Sequence, residues 1–207
     1  MSGSNDSLII FLHGVGALGA DLAPLAEPLS AFLPSTAFAA PDAPERFNGG
    51  GPARQWFSIA GITPDNRQQR VEQARQGFDR IVSAAIAEHG FAGRLDRVAL
   101  FGFSQGAIMA LDAIASGRWS VAAVVAASGR LAGAVEPSPA AAATPVLLLH
   151  GEVDAMVPAE ESRHAAPRLK AAGFTVETRF FARLGHSISS EGVEAAGAFL
   201  ARALKPA

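Results

Sequence analysis

Apolar positions in this chain come in short blocks whose spacing switches between two kinds. Continuous runs of the sort buried on both faces of a sheet fall near residues 8–12, 37–40, 97–102, 121–127, 145–150 and 174–181. Between them the spacing becomes helical. From Asn66 to His89 the residues Val71, Ala74, Phe78, Ile81, Val82, Ala85 and Ile86 share one stripe. Ala107 to Ile114 reads as a second, more apolar helix stopped by Gly117, and a last helix is expected after residue 186. Strands alternating with helices predict an α/β fold with a mostly parallel central sheet and helices on both faces, in one domain over residues 1–207. No internal repeat interrupts that order. Two irregular stretches remain, Pro41 to Asp65 and Gly129 to Thr144, the second with the low-complexity run Pro139 to Ala143. Neither is long enough for a large cap, so a site at the sheet's edge is expected to be open or covered only by a loop.

Composition narrows the partners. A chain of 207 residues can bury roughly 70% of its unfolded surface, enough for a large core. Hydrophobic residues make up 49%, yet no apolar run approaches the ~18 residues of a membrane span. Met1 to Asp6 lacks the positive start of a signal peptide and Leu8 to Leu12 reads as a strand, so a cytoplasmic protein is expected. The absence of cysteine excludes disulfides, thiolate metal sites and a cysteine nucleophile. Seventeen basic against 19 acidic residues give a net charge of −2, with no basic cluster for nucleic acid or an anionic bilayer. The expected partner is a small, largely uncharged molecule. No two histidines stand at a ligand spacing with a carboxylate, so neither a metal nor another cofactor is expected.

The chemistry is concentrated in Gly102-Phe103-Ser104-Gln105-Gly106, where the strand ending at Phe101 gives way to the helix from Ala107. A serine between two glycines at a strand-to-helix turn is a nucleophile elbow: the turn is too tight for side chains two residues before and after the serine. It lifts the hydroxyl above the C-terminal edge of the sheet and aims the next amide, that of Gln105, at the same point. A serine hydroxyl needs a base to take its proton, and the base needs an acid to orient it. Asp154 follows the strand Pro145 to Gly151, 50 residues after Ser104, and His186 lies 32 residues further on, in a loop after the strand Phe174 to Phe181. All three lie just past strand ends, where side chains of an open α/β sheet converge. Glu152 is the only near competitor of Asp154.

These stretches, together with Phe11-Leu12-His13-Gly14-Val15-Gly16, Trp56-Phe57, His150-Gly151 through Asp154 to Pro158, and Gly185-His186-Ser187, resemble the α/β-hydrolases. The branch they resemble most is that of the phospholipases and carboxylesterases, which includes acyl-protein thioesterases and small bacterial carboxylesterases. The resemblance implies an α/β-hydrolase fold and a serine hydrolase cleaving carboxylic esters of short to medium acyl chains, with thioesters and lysophospholipids as further candidates. Ser104, Asp154 and His186 would form the triad, and the amides of Val15 and Gln105 the oxyanion hole. The family usually has an opening strand before the first one seen here, so a shortened sheet edge is expected. The other class of function is a catalytically silent hydrolase fold that binds a ligand or protein.

A rival motif overlaps the first stretch. Gly14-Val15-Gly16-Ala17-Leu18-Gly19 has dinucleotide-binding spacing, with Asp42 23 residues past Gly19. Pro24 and Pro28 argue against it, because the long helix which that motif opens would lose hydrogen bonds to both, at ~3 kcal/mol each. A helix capped by Asp21, with Pro24 in its first turn, is expected instead. Near the catalytic loops Trp56, Phe103, Met156, Val157, Leu184 and Ile188 would give an apolar lining, and Phe57 is expected in the core. His13 and His150 read as structural, His89 and His164 as surface residues, Asp112 as part of the helix behind the elbow, and Asp42 as a turn cap before Pro44. Arg54 and Arg183 are the arginines to test against a substrate carboxylate.

Overall fold

The computed structural model describes residues 5–205. Strands β1 (Ser7–Leu12), β2 (Thr36–Ala39), β5 (Val98–Phe103), β6 (Ala123–Ala127), β7 (Val146–Gly151) and β8 (Val176–Phe181) form one sheet in the order β2-β1-β5-β6-β7-β8. Every neighbouring pair in it is parallel. The six predicted runs are these strands, shifted by one or two residues at their ends. The pattern missed a two-residue antiparallel pair, β3 (Glu45–Arg46) with β4 (Arg54–Gln55), and one helical turn, α4 (Pro139–Ala142), inside the low-complexity run.

Alternation along the strands divides the core in two. Leu8, Ile10, Leu12, Leu100, Val124 and Leu148 face helices α2 (Pro64–Glu88), α3 (Gln105–Ala115) and α5 (Glu160–Ala171). Ile9, Phe11, Phe101, Val125, Leu147 and Leu149 face α1 (Ala26–Ser30) and α6 (Ser190–Ala203). The predicted stripe of α2 is buried except for Ile81, which is only half covered. The helix begins two residues earlier than expected, because Thr63 and Asn66 cap it reciprocally and Pro64 takes the first helical position.

α3 is buried on all sides, an unusual setting for its one charged residue, Asp112. Arg75 of α2 meets that carboxylate with two hydrogen bonds, 2.9 and 2.8 Å, and Arg118 adds a third at 2.9 Å. Arg118 also pairs with Asp79, to which the Trp119 indole N–H donates at 2.6 Å. A buried carboxylate is tolerable only when so fully paired. The network fastens the helix behind the elbow to α2.

Candidate active site

Ser104 joins β5 to α3 with φ 52° and ψ −116°, a backbone conformation that side-chain-bearing residues seldom adopt. The turn closes because of what flanks it. A Cβ on Gly106 would stand 2.0 Å from the Leu12 carbonyl oxygen, and one on Gly102 would stand 2.5 Å from the Ala107 nitrogen. The helix can therefore start hard against the end of β1, and Ser104 N–H is held by the Ala127 carbonyl at 2.9 Å.

The turns after β7 and β8 bring Asp154 and His186 to this point. His186 Nδ1 lies 2.7 Å from Asp154 Oδ2, and its Nε2 lies 2.9 Å from Ser104 Oγ. Because a carboxylate only accepts, the proton belongs on Nδ1, which leaves the Nε2 lone pair facing the serine hydroxyl. The other carboxylate oxygen accepts from the amides of Met156 (2.8 Å) and Val157 (2.9 Å). Burial alone would push the Asp154 carboxyl up. The hydrogen bonds from His186, Val157 and Met156 outweigh burial and hold it below the ordinary carboxylate range. His150, fully buried between Ser162 Oγ (2.7 Å) and the Val157 carbonyl (2.8 Å), props up the same loop. Glu152 points elsewhere, to Arg163 at the surface.

Among the described residues neither the Val15 nor the Gln105 amide hydrogen has an acceptor within the protein. Val15 lines the same cavity as Ser104, and the glycine before it is so close that a Cβ there would touch Ser104 Cβ at 3.3 Å. His13 sets this loop. The Ala43 N–H donates to its Nε2 at 2.9 Å, so its proton is on Nδ1, which donates to the Gly14 carbonyl at 2.7 Å. In a planar trans peptide the carbonyl of Gly14 and the N–H of Val15 point in opposite directions. Gripping one fixes the other.

Burial lowers the affinity of His13 for a second proton, against weaker opposing pulls from the Gly14 carbonyl and from Asp42 and Asp21. The unfolded chain thus binds more protons than the folded one once the pH falls below the ordinary histidine value of 6.5, and stability must drop there as pH drops. Asp154 adds a second loss below its ordinary value of 3.8, since its folded form keeps the charge to lower pH. Thermal melting between pH 7.5 and 5 should therefore show Tm falling below about pH 6.5. The fall should be shallower in His13→Asn, and an equal slope in the two proteins would exclude His13 as its source.

The cavity in front of Ser104 measures about 620 Å³. Phe57, Ile59, Ile62, Phe103, Ile108 and Val157 supply its apolar wall, and Ile59 and Met156, 41% and 73% exposed, stand at a rim that no cap covers among the described residues. Of the expected lining, Phe103, Met156 and Val157 are there, with the Phe103 ring 4.9 Å from that of His186. Trp56 is not. It is 1% exposed, its indole N–H donates to the His13 carbonyl at 2.9 Å, and its ring packs edge-on against Phe78. Phe57 takes the place expected of Trp56. The reason is Gln105, whose side chain accepts from Trp56 N–H at 2.7 Å and donates to the Phe57 carbonyl at 2.7 Å, fixing which ring faces inward. Leu184 does not line the cavity either, because its turn runs behind Gly151, with its carbonyl accepting from Val153 N–H at 3.1 Å. Ile188 packs on the α6 side of the core.

The glycine loop differs from expectation in detail. Asp21 does not cap the next helix but turns back to the Leu18 N–H at 2.8 Å, and Pro24 sits in a short 3-10 turn ahead of the five-residue α1. Asp42 reaches the Gly19 N–H at 2.8 Å, so the pair that mimicked a dinucleotide fingerprint is a tie between two loops. Arg54 and Arg183 are absent from the cavity wall, which instead holds Arg67 and Arg130. A positional signal for Arg130 was present, as it follows a strand end just as Asp154 and His186 do. Arg67 carried none.

A parallel sheet with this elbow and these returning loops is an α/β-hydrolase fold. The family profile described as Phospholipase/Carboxylesterase matches residues 2–204, and the chain belongs to that family of hydrolases. It is 33% identical over 188 residues to an Escherichia coli protein, Esterase YpfH, covering 90% of this chain and 78% of the other. It is 28% identical to Acyl-protein thioesterase 1 of Gibberella zeae, over 96% and 91% of the two chains. Among solved structures, esterase PE8 superposes with a TM-score of 0.85 at 33% identity, over 98% of this chain and 95% of that one. Arabidopsis thaliana SOBER1 follows at 0.81 and 28%, over 96% and 99%. No helix among the described residues is long and apolar enough to cross a membrane.

Proposed function

We propose that the protein cleaves carboxylic esters of short to medium acyl chains through an acyl-enzyme on Ser104. The observation that carries this reading is the unbroken hydrogen-bond line from Ser104 through His186 to Asp154, opening on a cavity beside two amides without acceptors. Ser104 Oγ attacks the ester carbonyl while His186 Nε2 takes its proton. The same proton then passes to the departing alkoxide, and a water, activated by His186 in turn, releases the acid. Asp154 holds the imidazole tautomer and stabilises its charged form. The Val15 and Gln105 amides receive the oxyanion, each worth roughly 3 kcal/mol in the transition state. His13 is a positioning residue, acting through the Gly14–Val15 peptide.

Some relatives carry thioesterase names, and one rice relative, 29% identical, is named a probable inactive carboxylesterase. The complete hydrogen-bond line argues against inactivity in this chain. The open rim, and a sequence with net charge −2 and no basic cluster, favour dissolved esters over emulsions. Each added methylene gains at most ~0.8 kcal/mol while apolar wall remains to cover it. For p-nitrophenyl esters kcat/KM should climb from acetate to about butyrate or hexanoate and then level or fall, and a fluorophosphonate probe should label wild type but not Ser104→Ala. A steady rise through palmitate would replace the limited wall with a deep lipid tunnel. Absence of both turnover and labelling would leave only the binding-module alternative.

A further inference from the structure

Two arginines line the cavity that neither the triad nor the oxyanion site uses. Arg130 stands three residues past the end of β6, only 13% exposed, paired with Glu161 at 2.8 Å. Arg67 is the fourth residue of α2 and half-buried. Among the described residues its guanidinium has no hydrogen-bond or ion-pair partner. Its place is also locally unfavourable, since the first turn of a helix disfavours a cation. Burial holds Arg130 below its ordinary value; Glu161 and Asp154 oppose that, while the positive charge of Arg67 adds to it, so the two arginines sense each other.

The acidic groups around the cavity are already engaged: Glu161 by Arg130, Asp154 by His186, and Asp21 by the Leu18 amide. A hydrogen bond from an imidazole or an amide leaves the charge of Asp154 and Asp21 in place but commits their oxygens, so Arg67 is the guanidinium left without a carboxylate partner. A cation held in a pocket without a partner is a stored deficit that an incoming anion relieves.

Resting on the ester-hydrolase reading above, we propose that Arg67 and Arg130 form a carboxylate-binding subsite, and that the preferred esters carry a free carboxylate, as hemiesters of short dicarboxylic acids do. This departs from the uncharged partner expected from net charge, because it rests on the placement of one unpaired guanidinium and not on a sum of charges. One unpaired guanidinium, with Arg130 already held by Glu161, matches a monoanionic carboxylate better than a dianionic phosphate.

The test compares mono-p-nitrophenyl succinate, glutarate and adipate with the same three compounds capped as methyl esters, which keeps length and removes charge. At one of these lengths the free acid should exceed its capped partner in kcat/KM by about ten-fold at low ionic strength, the scale of one charge-assisted hydrogen bond. That ratio should fall about ten-fold in Arg67→Gln and drop below one in Arg67→Glu. Among the described residues the Arg67 guanidinium makes no hydrogen bond or ion pair, so melting should confirm intact folding; Arg130→Gln gives a second, independent reading of the ratio. If no length favours the free acid, or if the ratio ignores both arginines while Ser104 still labels with fluorophosphonate, the subsite is wrong and the hydrolase reading stands. If wild type turns over neither set and does not label, both fall together. An ester bearing a phosphate group that outruns the best hemiester would overturn the choice of carboxylate.

Discussion

Ser104→Ala should leave a folded protein whose kcat toward p-nitrophenyl butyrate is lower by about 10⁴-fold or more, and His186→Ala and Asp154→Asn should do the same. The asparagine change is the more telling, because it preserves shape. Asp154 Oδ1 accepts from two backbone amides, so an asparagine would keep its oxygen there and turn its NH₂ toward His186. Two donors would then face each other, and the ring would have to move its proton to Nε2, where it can no longer accept from Ser104. Combining substitutions should cost little more than the worst single one, since three groups acting as a unit fail together. Ser104→Ala retaining more than about a tenth of wild-type turnover would remove the serine from the chemistry.

Gly106→Ala should lower stability by about 3 kcal/mol or more, which for a chain of this size means a Tm lower by roughly 6 °C or more. The added carbon would meet the Leu12 carbonyl oxygen at 2.0 Å and that of His13 at 2.8 Å, both of them backbone atoms of a fully buried strand end. Neither can swing aside as a side chain would. α3 would have to retreat from β1 and take Ser104 with it, so activity should fall along with Tm. Gly185→Ala is the matched control: it adjoins His186, yet a Cβ there meets nothing within 4 Å. Its melting and turnover should stay close to wild type. Equal Tm values for the two variants would mean that the elbow has room the geometry denies.

The six strands could be read from the sequence because a parallel sheet covered on both faces leaves continuous apolar runs, a pattern local in the chain. The serine, aspartate and histidine could be placed because each lies where a strand ends, and that too is local. What could not be read depends on contacts between distant residues. Which of Trp56 and Phe57 faces the cavity is decided by Gln105, 49 and 48 residues away. Arg67 looks like any surface residue of an amphipathic helix until the fold carries the first turn of α2 to the cavity wall. Asp42 and Gly19 matched a nucleotide motif in spacing alone, for the same spacing also suits a hydrogen bond between two loops. The short turns after Asp21 show the same limit, with Pro24 compatible with several local geometries.

Ser104, Asp154 and His186 come from the ends of β5, β7 and β8, and the loop holding Val15 from the end of β1, so the hydrogen bond from His186 to Ser104 spans 82 residues of chain. The consecutive strands β7 and β8 bring Asp154 to His186, but the serine and the Val15 loop reach them only through strands far earlier in the chain. Pairings of such long range form late and slowly. Regained turnover after dilution from denaturant therefore reports completion of the whole sheet, whereas helical circular dichroism can recover earlier from α2 and α3 alone. On the proposed mechanism a nascent chain would gain hydrolytic power only once β8 and the turn behind it have docked.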